Sequence, residues 1–388
     1  MTAMIPYSQA VLPAGIRSRL VDNVNGLTVH ILEAGYAAPG RPLLLLLHGF
    51  PELAYSWRKV MPRLAEAGYC VVAPDVRGYG RTSGTDVNFD DDPAPYSTLN
   101  KVRDAVALVS ALGYREVAAA IGHDAGAGIA AWCALVRPDL FRSVAMMSAP
   151  FGGAPRLPFN TAGGGQGVAP AATRGSELDA ELAKLSRPRK HYQSYYSTRE
   201  ANENMWHCPQ GVLAFMRGYY HHKSADWKQN RPHPLAGLTA AELAKLPKYY
   251  VMDLGHGMAE TVAAEMPSAT EIAACAWLPD RELAVYADEY GRTGFQGGLQ
   301  SYRCGTSRIA AAEGSLFSGR TIDVPSCFIS GASDWGNYQT PGAIERMRDS
   351  ACTQFRGIHL VEGAGHWVQQ EQADRVAALL LEFLGGRP

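Results

Sequence analysis

The sequence lacks the marks of several large classes of protein. Its 388 residues include 36 Lys and Arg and 37 Asp and Glu, a formal net charge of -1, whereas proteins that bind nucleic acid usually carry a basic surplus. Charged residues make up 19% and hydrophobic residues 47%, which is typical of a chain with a large core rather than a disordered tail. A net charge near zero tolerates self-association without demonstrating it.

Long apolar runs are also missing. The most apolar run, Leu43–Leu47, is far too short to cross a bilayer, and residues 1–20 contain no basic stretch followed by an apolar one. Seven scattered cysteines never form the pattern C-x-x-C, which favours reduced and mostly buried thiols. We therefore expect a soluble cytoplasmic protein that binds neither a membrane nor a nucleic acid.

Motifs for common cofactors are absent from the sequence. It contains no G-x-G-x-x-G, no Walker A motif and no H-E-x-x-H. The pair His221-His222 has no further His or Cys at the spacing of metal ligands, so we interpret it as a solvated helix end. These absences predict a protein without a metal or an organic cofactor.

What the sequence does contain is an alternation of apolar strands and amphipathic helices. Because the strand runs are continuously apolar, they predict an α/β fold with a mostly parallel sheet and helices on both faces. Strands are predicted over residues 27–32, 42–47, 69–73, 117–121, 143–148, 324–330 and 358–361. Helices are predicted over residues 55–67, 99–112, 343–347, 373–384 and up to about residue 136 in the segment after the fourth strand.

A long insertion interrupts this alternation. Residues 152–175 are rich in Gly, Ala and Pro and predict a flexible surface linker, and residues 177–303 are helical in character, rich in aromatics and free of buried-strand runs. We therefore expect a core built from residues 1–150 and 320–388, with a linker and helical domain at residues 151–319 between the two parts.

A sharp turn with an acidic residue follows the strand at 117–121. Residues 121–126 read Ile-Gly-His-Asp-Ala-Gly, and the small residues at 122 and 126 suit a strand-to-helix turn that exposes its middle side chain. That middle residue is Asp124, where a serine is more common. A glycine-rich turn capped by an aspartate is the simpler alternative. With the residues that follow, Asp124 is the candidate nucleophile, and His123 is expected to pack beneath the turn.

Two further polar residues follow later strands. Asp334 comes after the strand at 324–330 and His366 after the strand at 358–361, which gives the chain order nucleophile, acid, histidine. Parallel strands end at one edge of a sheet, where such folds place their sites. Taken alone, each residue is also compatible with an ordinary loop. Together they predict His366 as a base oriented by Asp334.

The turn after the most apolar strand completes the constellation. Residues 47–52 read Leu-His-Gly-Phe-Pro-Glu, and their turn can direct the backbone N–H of Phe50 into the same cleft. With the N–H of Ala125 it would form an oxyanion hole. On its own this segment is no more than an ordinary strand-terminating turn.

With these motifs in order, the sequence resembles the α/β-hydrolase family and, within it, the epoxide hydrolases. The resemblance extends from about residue 22 to residue 384. Residues 297–303, Gly-Gly-Leu-Gln-Ser-Tyr-Arg, are similar to the family motif Gly-x-Leu-Asn-x-Tyr-Arg, and His191-Tyr192-Gln193 is similar to a second family segment. The resemblance implies that the helical insertion is a cap domain and that Tyr192 and Tyr302 bind the epoxide oxygen.

The resemblance also implies contacts with the substrate. These are expected from Phe50, Pro51, Gln193 and Trp367. Two departures from the family pattern stand out: Ala125 occupies a position where Trp is common, which predicts a roomier pocket floor, and the pair at 300–301 is Gln-Ser instead of Asn and an aromatic residue. Nearby tyrosines compete with Tyr192 for its role, namely Tyr195, Tyr196, Tyr219 and Tyr220.

A carboxylate nucleophile selects the class of reaction. Attack by serine on a saturated carbon would give an ether, whereas attack by a carboxylate gives an ester that activated water can hydrolyse. The resemblance thus implies hydrolysis of an epoxide to a vicinal diol. Asp124 opens the ring while Tyr192 and Tyr302 stabilise the leaving oxygen, and His366, held by Asp334, then activates water. The expected partners are a small apolar epoxide and water.

Two alternatives remain at the level of sequence. A haloalkane or haloacid dehalogenase uses the same aspartate but needs weak donors for a halide, and Trp206 and Trp227 leave that option open. A ligand-binding protein of the same fold would use the capped cavity as a receptor pocket. Tyr219 and Tyr220, with Trp227, are interpreted as core of the insertion rather than as pocket lining.

Overall fold

A computed structural model describes residues 5–156 and 171–385 of the chain. Ten strands lie in this part, and eight of them form one sheet. The strands are β1 (Ile16–Val24), β2 (Leu27–Ala34), β3 (Leu43–Leu47), β4 (Cys70–Pro74), β5 (Ala119–His123), β6 (Val144–Met147), β7 (Arg189–His191), β8 (Val251–Asp253), β9 (Ser326–Gly331) and β10 (Phe355–Val361).

Helices connect these strands and fill the insertion between β6 and β9. The α-helices are α1 (Met61–Glu66), α2 (Thr98–Ala111), α3 (Ala125–Val136), α4 (Ala171–Ala183), α5 (Tyr192–Tyr196), α6 (Glu200–Trp206), α7 (Gly211–Lys223), α8 (Ala240–Leu243), α9 (Met258–Ala263), α10 (Ala269–Ala274), α11 (Asp280–Thr293), α12 (Gln296–Thr306), α13 (Arg308–Ser315), α14 (Ala343–Arg346), α15 (Val368–Glu371) and α16 (Ala373–Gly385). Four 3-10 helices span Gln9–Val11, Ala54–Trp57, Ala94–Tyr96 and Trp335–Asn337, and a π-helix spans Met347–Ala351.

The main sheet is mostly parallel, as the sequence predicts. Its strand order is β1-β2-β4-β3-β5-β6-β9-β10, and all neighbours pair in parallel except β1 with β2 and β2 with β4. The central strands β3 and β5 are buried along their whole length, because each lies between two neighbours and beneath packed helices. The carboxyl ends of β3, β5, β9 and β10 therefore meet at one edge of the sheet, and each leads into a loop that carries a candidate site residue.

Two core elements differ from the sequence prediction. The helix expected over 55–67 is a 3-10 helix followed by α1, because Pro62 has no N–H to donate and can stand only in the first turn of a helix. The edge strand β1 was not predicted. It is only partly buried and carries Arg17 and Arg19, which both pair with Glu33 of β2, so its sequence has no continuous apolar run.

The insertion also departs from the prediction. It was expected to contain no buried strand, yet β7 and β8 form a short antiparallel pair in which Val251 and Met252 are buried. Three residues from each of two distant segments are too few to give a sequence signal. Most of the linker predicted at 152–175 lies outside the described residues, and its last five residues belong to α4.

The prediction of a solvated helix end at His221-His222 is wrong. The side chains of both residues are buried, because α7 lies at the centre of the insertion and packs against α11 and α9. The ring of His222 lies 4.4 Å from that of Trp227 and 4.8 Å from that of Tyr249. Burial lowers the pKa of His222 to about 3, which keeps the ring neutral.

The cysteines and the helices bear on two other sequence predictions. All seven cysteines are free thiols, six of them buried and Cys275 half-buried, as their positions in apolar runs predict.

Across residues 5–156 and 171–385, no helix combines the length and apolarity that a bilayer span requires. In the same residues no group of His, Cys, Asp and Glu is arranged to hold a metal ion.

Candidate active site

Asp124 occupies the turn between β5 and α3. Its backbone has φ 52° and ψ -122°, a conformation that non-glycine residues rarely adopt and that commonly marks functional sites. The turn is tight enough to require glycine on both sides. A Cβ on Gly122 would lie 2.0 Å from the carbonyl oxygen of Gly126, and one on Gly126 would lie 2.2 Å from that of Leu47. The small residues read from the sequence thus have a steric cause.

The carboxylate of Asp124 is held at both oxygens. Its Oδ1 accepts a hydrogen bond of 3.0 Å from the backbone N–H of Phe50. Its Oδ2 lies 3.2 Å from Nε2 of His366, within ion-pair distance but without the alignment of a hydrogen bond. Burial opposes ionisation, but His366 and the charge of Lys223 outweigh it and hold the pKa of Asp124 well below its ordinary value. A carboxylate is therefore present at neutral pH.

His366 lies between Asp124 and a second carboxylate. Its Nδ1 is 3.2 Å and 3.1 Å from the two carboxylate oxygens of Asp334. Asp334 also accepts hydrogen bonds from the N–H of Gly336 at 2.7 Å and the hydroxyl of Ser330 at 3.2 Å. Burial raises the pKa of Asp334, but His366, the N–H of Gly336 and the charge of Lys223 lower it by more, so the net shift is downward. The carboxylate fixes Nδ1 as the protonated nitrogen and directs Nε2 towards Asp124.

Burial and Lys223 lower the pKa of His366, whereas Asp334 and Asp124 raise it, and the net shift is upward. The imidazole thus has a greater affinity for a proton while both carboxylates are charged than it has in water. Loss of either negative charge would make it a weaker base with a larger neutral fraction.

The backbone of His366 is fixed on both sides. Its N–H donates to the carbonyl oxygen of Lys223 at 2.9 Å, and its carbonyl oxygen accepts from Ser148 at 3.0 Å. The same oxygen lies 2.6 Å from Nε2 of His123, whose Nδ1 is 2.6 Å from a carboxylate oxygen of Glu52. These contacts link the histidine loop to the insertion, to β6 and to the turn beneath Asp124. His123 packs under the turn as the sequence predicts.

The contacts of His123 determine where protons lie. Both ring nitrogens face oxygens, and the carbonyl oxygen of His366 can only accept, so Nε2 must carry a proton. Glu52 is fully buried and also accepts from the N–H of Gly49 at 3.0 Å and from Gln369 at 2.7 Å. Burial raises the pKa of Glu52, but His123 and the N–H of Gly49 lower it more, so the net shift is downward and Glu52 is a carboxylate. Glu52 is the last residue of the turn at residues 47–52, and its sequence alone gave it no role.

One of the two N–H groups predicted for an oxyanion hole faces the carboxylate of Asp124. The N–H of Phe50 already points at Oδ1 of Asp124. Ala125 is the first residue of α3, where backbone N–H groups have no partner within the helix and the helix dipole is positive. The side chain of Ala125 is exposed. The roles of both N–H groups remain predictions.

Tyr192 and Tyr302 lie together beside this carboxylate. Their rings are 6.0 Å apart, and the ring of Tyr302 lies 5.5 Å from that of Phe50. The hydroxyl of Tyr192 donates to Gln339 at 3.4 Å and accepts from Gln193 at 3.2 Å. Burial raises the pKa of both phenols, and the charge of Asp124 raises each further, so both remain protonated donors at neutral pH.

The competing tyrosines have contacts of their own. Tyr220 donates to the carbonyl oxygen of Pro51 at 3.1 Å, and Tyr196 donates to the hydroxyl of Tyr219 at 3.3 Å. The ring of Tyr195 lies 4.4 Å from the ammonium of Lys190. The rings of Tyr196 and Tyr192 both lie near that of Tyr302, at 5.0 Å and 6.0 Å. The hydroxyl of Tyr196 faces Tyr219, whereas the charge of Asp124 acts on Tyr192, which keeps Tyr192 as the predicted partner of Tyr302.

Close packing of two glycines places the helix that carries Tyr302. A Cβ on Gly297 would lie 1.9 Å from the carbonyl oxygen of Gly78, and one on Gly298 would lie 2.8 Å from the ring of Phe50. Lys101 of α2 binds the hydroxyl of Ser301 at 2.5 Å. Gly297, Gly298 and Ser301 thus hold α12 in close contact with the core. Ser301 does so although it departs from the family pattern.

The remaining predicted contact residues have mixed surroundings. Trp367 is fully buried, donates from its indole to the carbonyl oxygen of Tyr220 at 2.8 Å and packs on that ring at 4.3 Å. Gln193 is exposed, and its amide reaches Tyr192. Pro51 is buried at the turn. Their contacts with a substrate remain predictions. The packing of Trp367 supports the loop that carries His366.

Sequence reasoning missed three residues of the site. Lys223 was passed over because the histidines before it were interpreted as solvated. Gln339 reaches Tyr192 from the segment after β9, and no motif marks it. Glu371 is buried and binds the backbone N–H groups of Gly365 and Trp367 on either side of His366. The sequence did offer one indication that Lys223 is buried, because it closely follows Tyr219-Tyr220, which were interpreted as core of the insertion.

Comparisons with known proteins show the family to which the chain belongs. A family model for the alpha/beta hydrolase fold matches residues 42–373. Epoxide hydrolase A of Mycobacterium tuberculosis is 33% identical over 369 residues, which cover 95% of this chain and 97% of that protein. Epoxide hydrolase 3 of Siraitia grosvenorii is 30% identical over 375 residues, covering 93% of this chain and 96% of that protein.

Solved structures give the same result. Epoxide hydrolase I of potato (Solanum tuberosum) aligns with a TM-score of 0.72 at 28% identity, over 96% of this chain and 100% of that one. An epoxide hydrolase from an endophytic Streptomyces aligns with a TM-score of 0.71 at 31% identity, over 96% of each chain. The chain therefore belongs to the α/β-hydrolase fold family and, within it, to the epoxide hydrolases.

Proposed function

We propose that the protein hydrolyses epoxides to vicinal diols through a covalent ester on Asp124. The observation that carries the proposal is the convergence at one sheet edge of an ionised carboxylate, a His–Asp pair and two protonated phenols. The relatives named above as epoxide hydrolases support it. We further propose that residues 151–319 form the cap that covers the site and supplies Tyr192 and Tyr302.

The first step forms the ester. Oδ1 of Asp124 is occupied by the N–H of Phe50, so Oδ2 is the oxygen free to attack an epoxide carbon. The C–O bond of the ring breaks as the new C–O bond forms, and the ring oxygen takes a proton from Tyr192 or Tyr302. The second phenol stabilises the developing charge by a hydrogen bond. The site needs acids here because an alkoxide is a far stronger base than a halide.

The second step hydrolyses the ester. His366 takes a proton from water at Nε2, and the hydroxide attacks the carbonyl carbon of Asp124. Negative charge then develops on Oδ1, where the N–H of Phe50 is already in place and that of Ala125 is added. The bond between Cγ of Asp124 and Oδ2 then breaks, so Oδ2 leaves with the diol. His366 returns a proton to that leaving oxygen, and the proton of the regenerated acid restores the tyrosine. The sum is one epoxide and one water to one diol.

The dehalogenase alternative loses its structural support. The indole N–H of Trp206 donates to the carbonyl oxygen of Gly291 at 2.9 Å, and that of Trp227 donates to Glu265 at 3.3 Å. Neither is therefore available to a halide. The phenols of Tyr192 and Tyr302, on which the charge of Asp124 acts, suit an oxygen that must be protonated.

A substrate panel tests the proposed function directly. We expect styrene oxide and epoxyhexane to be converted to diols, and bromobutane to release no bromide above the uncatalysed rate. Diol and bromide are assayed separately for the same enzyme sample. Bromide release without diol would replace the proposal with the dehalogenase alternative. Tight binding of these compounds without turnover of any would favour a ligand-binding protein.

A further inference from the structure

Lys223 is a buried cation with no carboxylate partner among the residues that the structure describes. It is the last residue of α7, and only 3% of its surface is exposed. No hydrogen bond or ion pair joins its ammonium to another residue within the described part of the chain. Lysines are rarely buried unless they are paired, because desolvating an ammonium is costly. A buried lysine in this position therefore calls for a reason other than stability.

Aromatic rings surround the ammonium of Lys223 and offset part of the free-energy cost of desolvating it. Its Nζ lies 5.1 Å from the ring centroid of Tyr250, 5.4 Å from that of Trp367, 5.5 Å from that of Tyr219 and 5.8 Å from that of Tyr249. Ring faces attract cations over such distances, but more weakly than a carboxylate does. The cage therefore holds a charge in place without neutralising it.

Lys223 is also fixed relative to the catalytic histidine. Its carbonyl oxygen accepts the N–H of His366 at 2.9 Å, and its ammonium lies over the ring of the next residue, Trp367. A Cβ on Gly365 would lie 2.6 Å from the same carbonyl oxygen, so the loop and the helix end touch without space between them. Glu371 bridges the N–H groups of Ala225 and Gly365. These contacts hold the end of α7, which carries Lys223, against the loop that carries His366.

The charges around His366 change during the proposed reaction. The other titratable groups packed around the imidazole or its loop are Asp124, Asp334, Lys223, His123, Glu52 and Glu371. In the free enzyme Asp124 and Asp334 both favour the protonated ring. Formation of the ester removes the charge of Asp124, whereas the charge of Lys223 is unaltered. The balance at His366 then moves towards the neutral ring that can accept a proton from water.

We propose, building on the function proposed above, that Lys223 is a positioning residue whose fixed charge holds His366 neutral once Asp124 has become an ester. Lys223 touches neither the epoxide nor the reacting water in this account and acts through His366. The direction of its effect on the pKa of His366, a lowering, agrees with this role. Ester hydrolysis, not ester formation, is the step that depends on it.

The test measures the two half-reactions separately as a function of pH. Single turnovers of wild type, Lys223→Met and Lys223→Gln with styrene oxide are quenched, and the adduct is followed by intact mass. We expect both variants to form the adduct within a few-fold of the wild-type rate. The pH midpoint for adduct hydrolysis should move upward by about one unit, roughly a tenfold loss of rate on the acid side. The sign follows because removing a nearby positive charge raises the pKa of His366.

Two controls separate charge from structure. Lys223→Arg keeps the charge and should keep the wild-type pH midpoint. Lys190→Met removes a lysine that lies over Tyr195 in the same insertion, and should leave both half-reactions unchanged. Burial lowers the pKa of Lys223, against the opposing effect of Asp124, so the charge costs stability at neutral pH. The Tm of Lys223→Met should therefore be no lower than that of wild type.

The results distinguish the two proposals. An unshifted pH midpoint in Lys223→Met and Lys223→Gln would overturn the role of Lys223, and so would an equal shift in Lys223→Arg with an unaltered Tm. Loss of both half-reactions together with a lowered Tm would mark Lys223 as structural and overturn it as well. If wild type forms neither adduct nor diol, the proposed function itself fails.

Discussion

The Asp124→Asn variant is expected to lose at least about a thousandfold in kcat/KM, the scale on which removal of a covalent nucleophile acts. An amide is not a nucleophile towards an epoxide, yet it keeps the shape of the side chain. Asparagine tolerates positive φ better than most residues, and its oxygen can still accept the N–H of Phe50. The loss should therefore appear in the chemistry and not in the fold. Initial rates of diol formation measure it.

Its matched control is Asp139→Asn. Asp139 is a surface residue that pairs with Arg137, and its side chain is 63% exposed. This control should keep the wild-type rate, since exposed ion pairs contribute little. The Tm of both variants is measured alongside. A rate for Asp124→Asn within a few-fold of wild type would contradict a covalent role for this carboxylate.

The His366→Gln variant is expected to form the ester and then stall. In this variant the Asp124 carboxylate is still present as the nucleophile and still accepts the N–H of Phe50. Ring opening should therefore proceed once per molecule. Hydrolysis should slow by roughly a hundredfold to ten-thousandfold, because glutamine cannot take a proton from water. The expected observation is an intact-mass increase equal to the mass of the epoxide. Digestion should place that mass on the peptide that contains Asp124.

An exposed histidine provides the control for this variant. His207 lies on the surface of the insertion with its side chain 59% exposed, and His207→Gln should turn over normally without an adduct. An unmodified His366→Gln protein that has also lost diol formation would show that His366 is needed before the ester forms. That outcome would reject the order of the two steps.

The parts of the site that could be predicted from sequence are those with a local steric signature. Gly122 and Gly126 can be recognised because the tight turn excludes any side chain, and His366 because it stands in a glycine-rich loop after a strand. The parallel sheet could be predicted because runs such as Leu43–Leu47 are buried on both faces. In each case the cause lies within a few residues of the signal.

The parts that could not be predicted depend on contacts between distant segments. Lys223 reaches His366 across 143 positions of the chain, and its charge has meaning only next to Asp124 and Asp334. The pair β7 and β8 forms across about sixty residues, with too few members to show periodicity. The wrong prediction for His221 and His222 has the same origin: they were interpreted as a solvated helix end, although their burial is set by the segments that pack over that end.

The measurement that tests the account most directly is a single turnover of wild-type enzyme in water enriched in heavy oxygen. If the ester on Asp124 is hydrolysed at its carbonyl carbon, the first heavy oxygen enters the carboxylate of Asp124 and the first diol carries none. Mass analysis of the Asp124 peptide and of the diol, with enzyme in excess over styrene oxide, reports both. We predict label in the peptide. Label in the first-turnover diol, with an unlabelled peptide, would mean that water opens the ring directly and would contradict the covalent mechanism.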